Sequence, residues 1–416
     1  MISPVTPPAR RIAALLGAVA LALTGTGCGG ETGAVASSGK VTSITALDYY
    51  TDETEHAQWS RWLDACGRAA GVKVEHRSVP GPSLVPRVLQ QASSRTLPDL
   101  LMLDNADLQQ IAGTGALTPL DEYGIDFGGF TEGILSAGTY EGKVYGLAPT
   151  VNTVALFYNK DMLAEAGVAV PRTWDELRTA AAGLTRPGRY GMAVDATATF
   201  EGAWQFLPFL WSNGGDEQRL DTPQAARALQ LWVDLVKDGS MSKSVLNWDQ
   251  ADLHDQFVAG RTAMMINGPW RIPAMNRTKN LHWGVAPVPV PRAGLSPVTP
   301  LGGEVWTVPR NASEPRREKA ARVLACLNDP ENMLTQAEQR LTVPSRTAVA
   351  ARYAGRDATA DTFVKSVAGA RSRTGELGAR WPRAATGIYT AIQAALTGEQ
   401  TPEEALKRAQ RIATGS

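Results

Sequence analysis

The chain has 416 residues, more than one ordinary hydrophobic core organises, and its length fits two domains of roughly 150 to 200 residues each. A content of 44% hydrophobic and 20% charged residues is that of a soluble folded protein and excludes a disordered chain. The balance of 41 basic against 41 acidic side chains excludes the cationic stripe that a phosphate backbone requires, so nucleic acid is not expected as a partner.

The first element is a leader. Arg10 and Arg11 precede an apolar run from Ile12 to Leu23, which gives way to small residues ending at Cys28, the layout of a secretory signal over residues 1–28. About twelve apolar residues are too few for a bilayer that takes roughly twenty, and no later segment supplies such a run. Leu23-Thr24-Gly25-Thr26-Gly27-Cys28 resembles a bacterial lipobox, with Gly25 standing where a leucine is usual and Leu23 displaced by two positions. That resemblance implies a lipid on Cys28; the other reading is an ordinary cleaved signal with an incidental cysteine. Residues 29–40 have the Gly/Ser/Ala-rich composition of a flexible tether. The export signal places Cys66 and Cys326 where disulfides persist, and either a bridge or two buried free thiols fits the sequence. No histidine–cysteine spacing matches a metal site, and His56, His76, His254 and His282 are scattered, so no metal or other cofactor is expected.

Beyond the tether, Val41–Leu47 reads as a strand and Glu53–Ala70 as a helix, with Trp59, Trp62, Leu63 and Cys66 on one face. Val72–Val79 is a strand, Ser83–Ser94 a helix, and Asp99–Leu103 a short apolar run after Pro98. This alternation predicts a parallel sheet covered by helices, with ligands beyond the carboxyl ends of its strands, where the polar clusters Asp48–Glu53 and Asp104–Asp107 lie. A second α/β unit opens near Thr153–Tyr158, followed by a helix over Asp161–Ala166 that Gly167 stops. Thr173 caps a helix with acidic residues in its first turn, which makes Trp174 structural. Thr222 and Pro223 open a helix with Leu229, Trp232, Val233 and Val236 on one face, so Trp232 is core. Thr262–Ile266 and Trp283–Ala286 are strands, Pro287–Pro300 is an extended connection, and the chain from Glu314 onward is mainly helical.

Six segments in order then resemble the family 1 extracellular solute-binding proteins, the sugar receptors of ABC importers. They are Pro98–Met102; Gly142–Pro149 followed by Leu156–Leu163; Pro171–Leu177; Phe257–Met264; Gly268-Pro269-Trp270; and Gly302-Gly303-Glu304 before a strand. The resemblance implies a two-lobed α/β fold of the periplasmic-binding-protein kind with three interlobe crossings and a cleft between the lobes. It implies an amino-terminal lobe from residues 41–149 plus 303–328 and a carboxy-terminal lobe from 150–302 plus 329–416. Under that topology Cys66 and Cys326 share a lobe, which makes a disulfide admissible.

Eleven tryptophans offer indole faces for the flat C–H faces of sugar rings. Trp204 and Trp211 lie near a polar turn, Trp270 follows the Gly-Pro that ends a strand, and Trp381 sits between Arg380 and Pro382. The family resemblance singles out Trp270; Trp204 and Trp381 join it as candidates, ahead of Trp211, while Trp306 lies in a strand and can face either way. Asp104, Asn105, Asn152, Glu304 and Arg346 are the candidates for hydroxyl recognition, each at a strand end or crossing. Ordinary alternatives stand beside them: Asp104 or Asn105 as a helix cap, Arg346 in a surface ion pair. The expected function is an extracytoplasmic receptor, a monomer anchored to the outer face of the cell membrane as a lipoprotein, that delivers a carbohydrate to ABC permease subunits. The competing readings are a secreted glycoside hydrolase, for which no local pattern is evident, and the same fold serving a polyamine, an organic anion or a metal chelate.

Overall fold

The computed structural model describes residues 40–311 and 313–415. The secretory signal, Cys28 and all of the tether but Lys40 lie outside the described residues. Two sheets organise the chain into a mixed α/β fold of two lobes. The first sheet runs in the order Lys73–Ser78, Ser43–Asp48, Leu100–Asp104, Glu304–Thr307, Gly146–Leu147. Its first three strands are parallel because each return passes through a covering helix, Glu53–Ala70 and then Gly81–Ser94. Leu101, Met102 and Leu103 are all fully buried, which is why this strand reads as an unbroken apolar run. Glu304–Thr307 arrives from far along the chain and inserts antiparallel beside it.

The helix Glu53–Ala70 starts where the Asp52 carboxylate accepts from the amides of Thr54 and Glu55, and it ends at Gly71 in the left-handed region. It buries Trp59, Leu63, Cys66 and Ala70, while Trp62 is half-buried and packs edge-on against Trp59. Glu314–Leu327 packs against this helix, and a disulfide joins Cys66 to Cys326 with the Cα atoms 5.5 Å apart. Of the two readings left open for these cysteines, the bridge is the one realised. The same helix is tied to the sheet by Arg316, whose Nη2 lies 2.6 Å from Asp99 Oδ2. Burial opposes ionisation of Asp99, yet Arg316 and the Thr45 amide together hold its carboxyl below the usual range.

The second sheet consists of Trp283–Ala286, Ala155–Asn159 and Met264–Asn267, all antiparallel. The last begins two residues later than the expected Thr262–Ile266, because the Tyr190 backbone bridges this stretch instead, its amide donating to Arg261 O and its carbonyl accepting from the Ala263 amide. Gly167 ends Lys160–Ala166 in the left-handed region, Thr173 and Glu176 form the capping box of Trp174–Leu184, and Thr222 caps Pro223–Lys237, on which Trp232 is fully buried. Between the sheets three segments run side by side. Thr150–Val151 pairs with Val343–Pro344, and Asn152 exchanges backbone hydrogen bonds of 3.1 and 2.8 Å with Gly302. No helix among the described residues is long and apolar enough to cross a membrane.

Candidate ligand-binding site

The register that places Glu304 opposite Asp104 brings both carboxylates to the edge of the first sheet where its parallel strands end. A cavity of about 840 Å³ opens there, within the range of small-molecule sites. One side of it is polar and rigidly braced. Glu304, 9% exposed, accepts from the Tyr49 hydroxyl at 2.9 Å and pairs with Arg340 at 3.5 Å. Arg340 also donates to the Tyr50 hydroxyl, and its guanidinium lies over the Tyr50 and Trp59 rings at 4.8 and 5.1 Å. Burial pushes both phenols, Tyr49 and Tyr50, well above their ordinary range, so they stay protonated. Asp104 receives the Ala106 amide at 2.8 Å and Arg373 Nη2 at 2.5 Å, and the same nitrogen donates to Asn105 Oδ1 at 2.8 Å. Each carboxylate is thus oriented by an arginine, with acceptor capacity left for hydroxyls.

The other side is aromatic. Trp204 comes from the helix Phe200–Ser212 and Trp270 from the single turn Pro269–Arg271, and their ring centroids lie 5.7 Å apart at 31°. Trp270 folds back over Gly268 so closely that a Cβ there would meet its ring carbons at 2.0 Å. Gly302 and Gly303 are required for a related reason. A Cβ on Gly302 would lie 2.2 Å from Asn152 Oδ1 and 2.9 Å from Trp204 Cζ2, and Gly303 has φ +119° against the Val151 backbone. The glycine pair therefore lets the crossing strand pass close enough to present Asn152 and Glu304 to the cavity.

Two further carboxyls face this space. Desolvation raises Glu55, with Arg340 partly offsetting it. Glu201 is pushed up to about 7 by desolvation at the cavity and by the negative charge of Asp195 and Asp249, although the residue is exposed.

Asp104, Asn152, Trp204, Trp270 and Glu304 are brought together on the cavity wall. Asn105 sits just behind it, 3% exposed, donating to Leu301 O and accepting from Arg373. Arg346 does not line the cavity: it pairs with Asp126 at 3.0 Å, bonds the Gly128 carbonyl and covers the Phe130 ring, holding the 126–130 loop. The expectation for Trp381 is corrected. It is the first residue of the helix Trp381–Thr397 and is 1% exposed, because the indole turns inward onto the face that carries Ala384, Ala385 and Ile388. Trp211 is tied to Glu217 by a 2.5 Å hydrogen bond, and Trp306 is fully buried against Trp59. Sequence reasoning missed Arg340 and Arg373, which sit in helical and irregular stretches with no local signal. It also passed over Tyr49 and Tyr50, although they fall inside the flagged cluster after the first strand.

Residues 61–365 match the model of the bacterial extracellular solute-binding proteins. A binding protein of Brucella abortus (strain 2308) is 29% identical over 239 residues, 54% of this chain, and the match spans 57% of that relative's length. A maltooligosaccharide ABC transporter solute-binding lipoprotein of Streptococcus pneumoniae is 24% identical over 318 residues, covering 71% of this chain and 72% of the relative. The GacH receptor of Streptomyces glaucescens, solved unliganded and with acarbose, aligns with a TM-score of 0.78 at 26% identity, over 90% of this chain and 99% of that one. With its two larger sheets, its crossing segments and a cavity at the strand ends, the chain belongs to the bacterial extracellular solute-binding protein family.

Proposed function

We propose that this protein is the extracytoplasmic carbohydrate receptor of an ABC importer, taking up an oligosaccharide and handing it to permease subunits without altering it. The observation that carries this reading is the pairing of the Trp204–Trp270 platform with the arginine-braced acceptors Asp104 and Glu304 in one cavity. Indoles stack on the apolar face of a pyranose, and the carboxylates accept from its hydroxyls. Asn152 adds an amide from the crossing strand. In this reading the lobes are 41–149 plus 303–328 and 150–302 plus 329–416, and ligand stabilises their closed arrangement because it touches both only when they meet. The receptor is a monomer held to the outer face of the cell membrane by lipid on Cys28. The Streptococcus pneumoniae relative, named as a lipoprotein for maltooligosaccharides, and the acarbose complex of the Streptomyces receptor support the ligand class.

Calorimetric titration with a panel of maltooligosaccharides, alongside a polyamine and citrate, tests the proposal. Saturable binding of an intact sugar is expected, with a rise in melting temperature by mass action. Release of reducing ends with time would establish a hydrolase instead, and binding of only the polyamine or the anion would overturn the sugar assignment.

A further inference from the structure

The scattered histidines do not stay apart in space. The helix Glu53–Ala70 lies across the pair of strands Ser43–Asp48 and Lys73–Ser78, and this crossing brings His56 and His76 onto the Asp48 carboxylate. Asp48 is fully buried, and among the described residues no lysine or arginine pairs with it. Its partners are His76 Nε2 at 2.8 Å, the Tyr50 amide at 3.1 Å and the Ser78 hydroxyl. The His76 side chain is 4% exposed, and its Nδ1 is fixed by the Ser60 hydroxyl at 2.7 Å. His56 stacks on His76 with centroids 4.3 Å apart, its Nδ1 2.7 Å from the Ser78 hydroxyl. One ligand atom from each of Asp48, His56 and His76 falls within 4.8 Å of the others.

We infer that Asp48, His56 and His76 form a binding site for a divalent transition metal ion of the zinc type. Two imidazoles and a carboxylate are a donor set that such ions take, and the buried Asp48 carboxylate meets no lysine or arginine among the described residues. Ser60 has the place of the outer hydrogen-bond partner that orients a ligating histidine. Zinc bonds of about 2.0 to 2.1 Å put ligand atoms roughly 3.3 Å apart. Rotation of the half-buried His56 out of its stack on His76 closes the remaining gap. The ion takes Nε2 of the neutral His76 ring, whose single proton then sits on Nδ1 and is donated to Ser60, and it competes with protonation of the two imidazoles, so affinity falls as the pH is lowered.

The test uses chelator-stripped protein titrated with Zn²⁺ by calorimetry and with Co²⁺ by visible absorption. The parent should bind one ion per chain with a visible Co²⁺ spectrum. H56A and H76A should each weaken binding roughly a hundredfold or more, while H282A, at an exposed histidine paired with Asp161, should bind as the parent does. His76 also supports Asp48, so where H76A unfolds, H56A decides alone through loss of the Co²⁺ spectrum in a folded protein. Absence of stoichiometric binding in the parent, or parental affinity in folded H56A, overturns the inference.

Discussion

Replacing Trp270 by alanine separates a ligand platform from a piece of core. The indole is half-buried, packed on Trp204 at 5.7 Å on one side and open to the cavity on the other. An aromatic side chain buries about 150 to 250 Å² in full, so a sugar covering one face removes roughly 70 Å² from water, or about 2 kcal/mol at about 25 cal/mol per Å². Affinity for the best maltooligosaccharide should fall by about 30-fold. Without ligand, the lost contact with Trp204 costs on the order of 1 kcal/mol, which moves the melting temperature of a chain this long by only a few degrees. Gly268→Ala supplies an independent arm. Its φ of −114° suits alanine, but the new Cβ would fall 2.0 Å from the Trp270 ring and displace it, so this variant should lose affinity without touching the sugar itself. Calorimetry gives the affinities and thermal unfolding the stabilities. Parental affinity in both variants, or a melting temperature lowered by about 10 °C or more in the unliganded Trp270→Ala protein, would refute the reasoning.

The disulfide closes a loop of 260 residues, so the Cys66→Ala/Cys326→Ala protein should lose up to about 5 kcal/mol against denaturant, and a reductant should bring the parent to the same midpoint. Arg373→Met leaves Asp104 without its charged partner and Asn105 Oδ1 without its arginine donor and should cost about 2 to 4 kcal/mol in denaturant melts, tempered by the partial exposure of Asp104. Adding Asp104→Asn should restore stability but not affinity. Asp195 is fully buried, its Oδ2 has no hydrogen-bond partner among the described residues, and desolvation pushes its carboxyl up to about 6. A carboxyl raised in the fold binds protons there that the unfolded chain releases, so its contribution to stability declines as pH rises from about 4 to about 6 and is constant above. The stability advantage of Asp195→Asn over the parent, measured by urea unfolding across pH, should therefore grow through that window by up to about 3 kcal/mol.

Where the sequence could be read, local chemistry was the reason. The Thr173–Glu176 capping box, the Gly167 stop and the inward face of Trp232 each depend on neighbours within one or two helical turns. Asp104 could be flagged because polar residues beyond the carboxyl ends of parallel strands face the cleft of α/β sheets, and Glu304 because it follows a Gly-Gly pair that resembles the solute-binding family's; both line the cavity. Trp381 misled because charged and proline neighbours look like a loop, whereas Pro382 is a normal first-turn residue of a helix whose face is apolar. Arg340 and Arg373 were invisible because their partners lie 36 and 269 positions away, and an arginine carries no mark of what it will meet. His56 and His76 escaped for the same reason: a crossing helix, not their spacing, makes them neighbours.

The strand order of the first sheet also sets a clock on biosynthesis. Leu100–Asp104 gains its second neighbour only from Glu304–Thr307, paired Asp104 with Glu304, some 200 positions later. At about 5 to 20 residues per second, the ribosome takes roughly 10 to 40 seconds to supply it. Until then an apolar edge stands open and the sheet cannot close, the loosely folded state that threading through a translocation pore requires. A circular permutant that begins just before Glu304 would remove that delay and should fold faster but export less well.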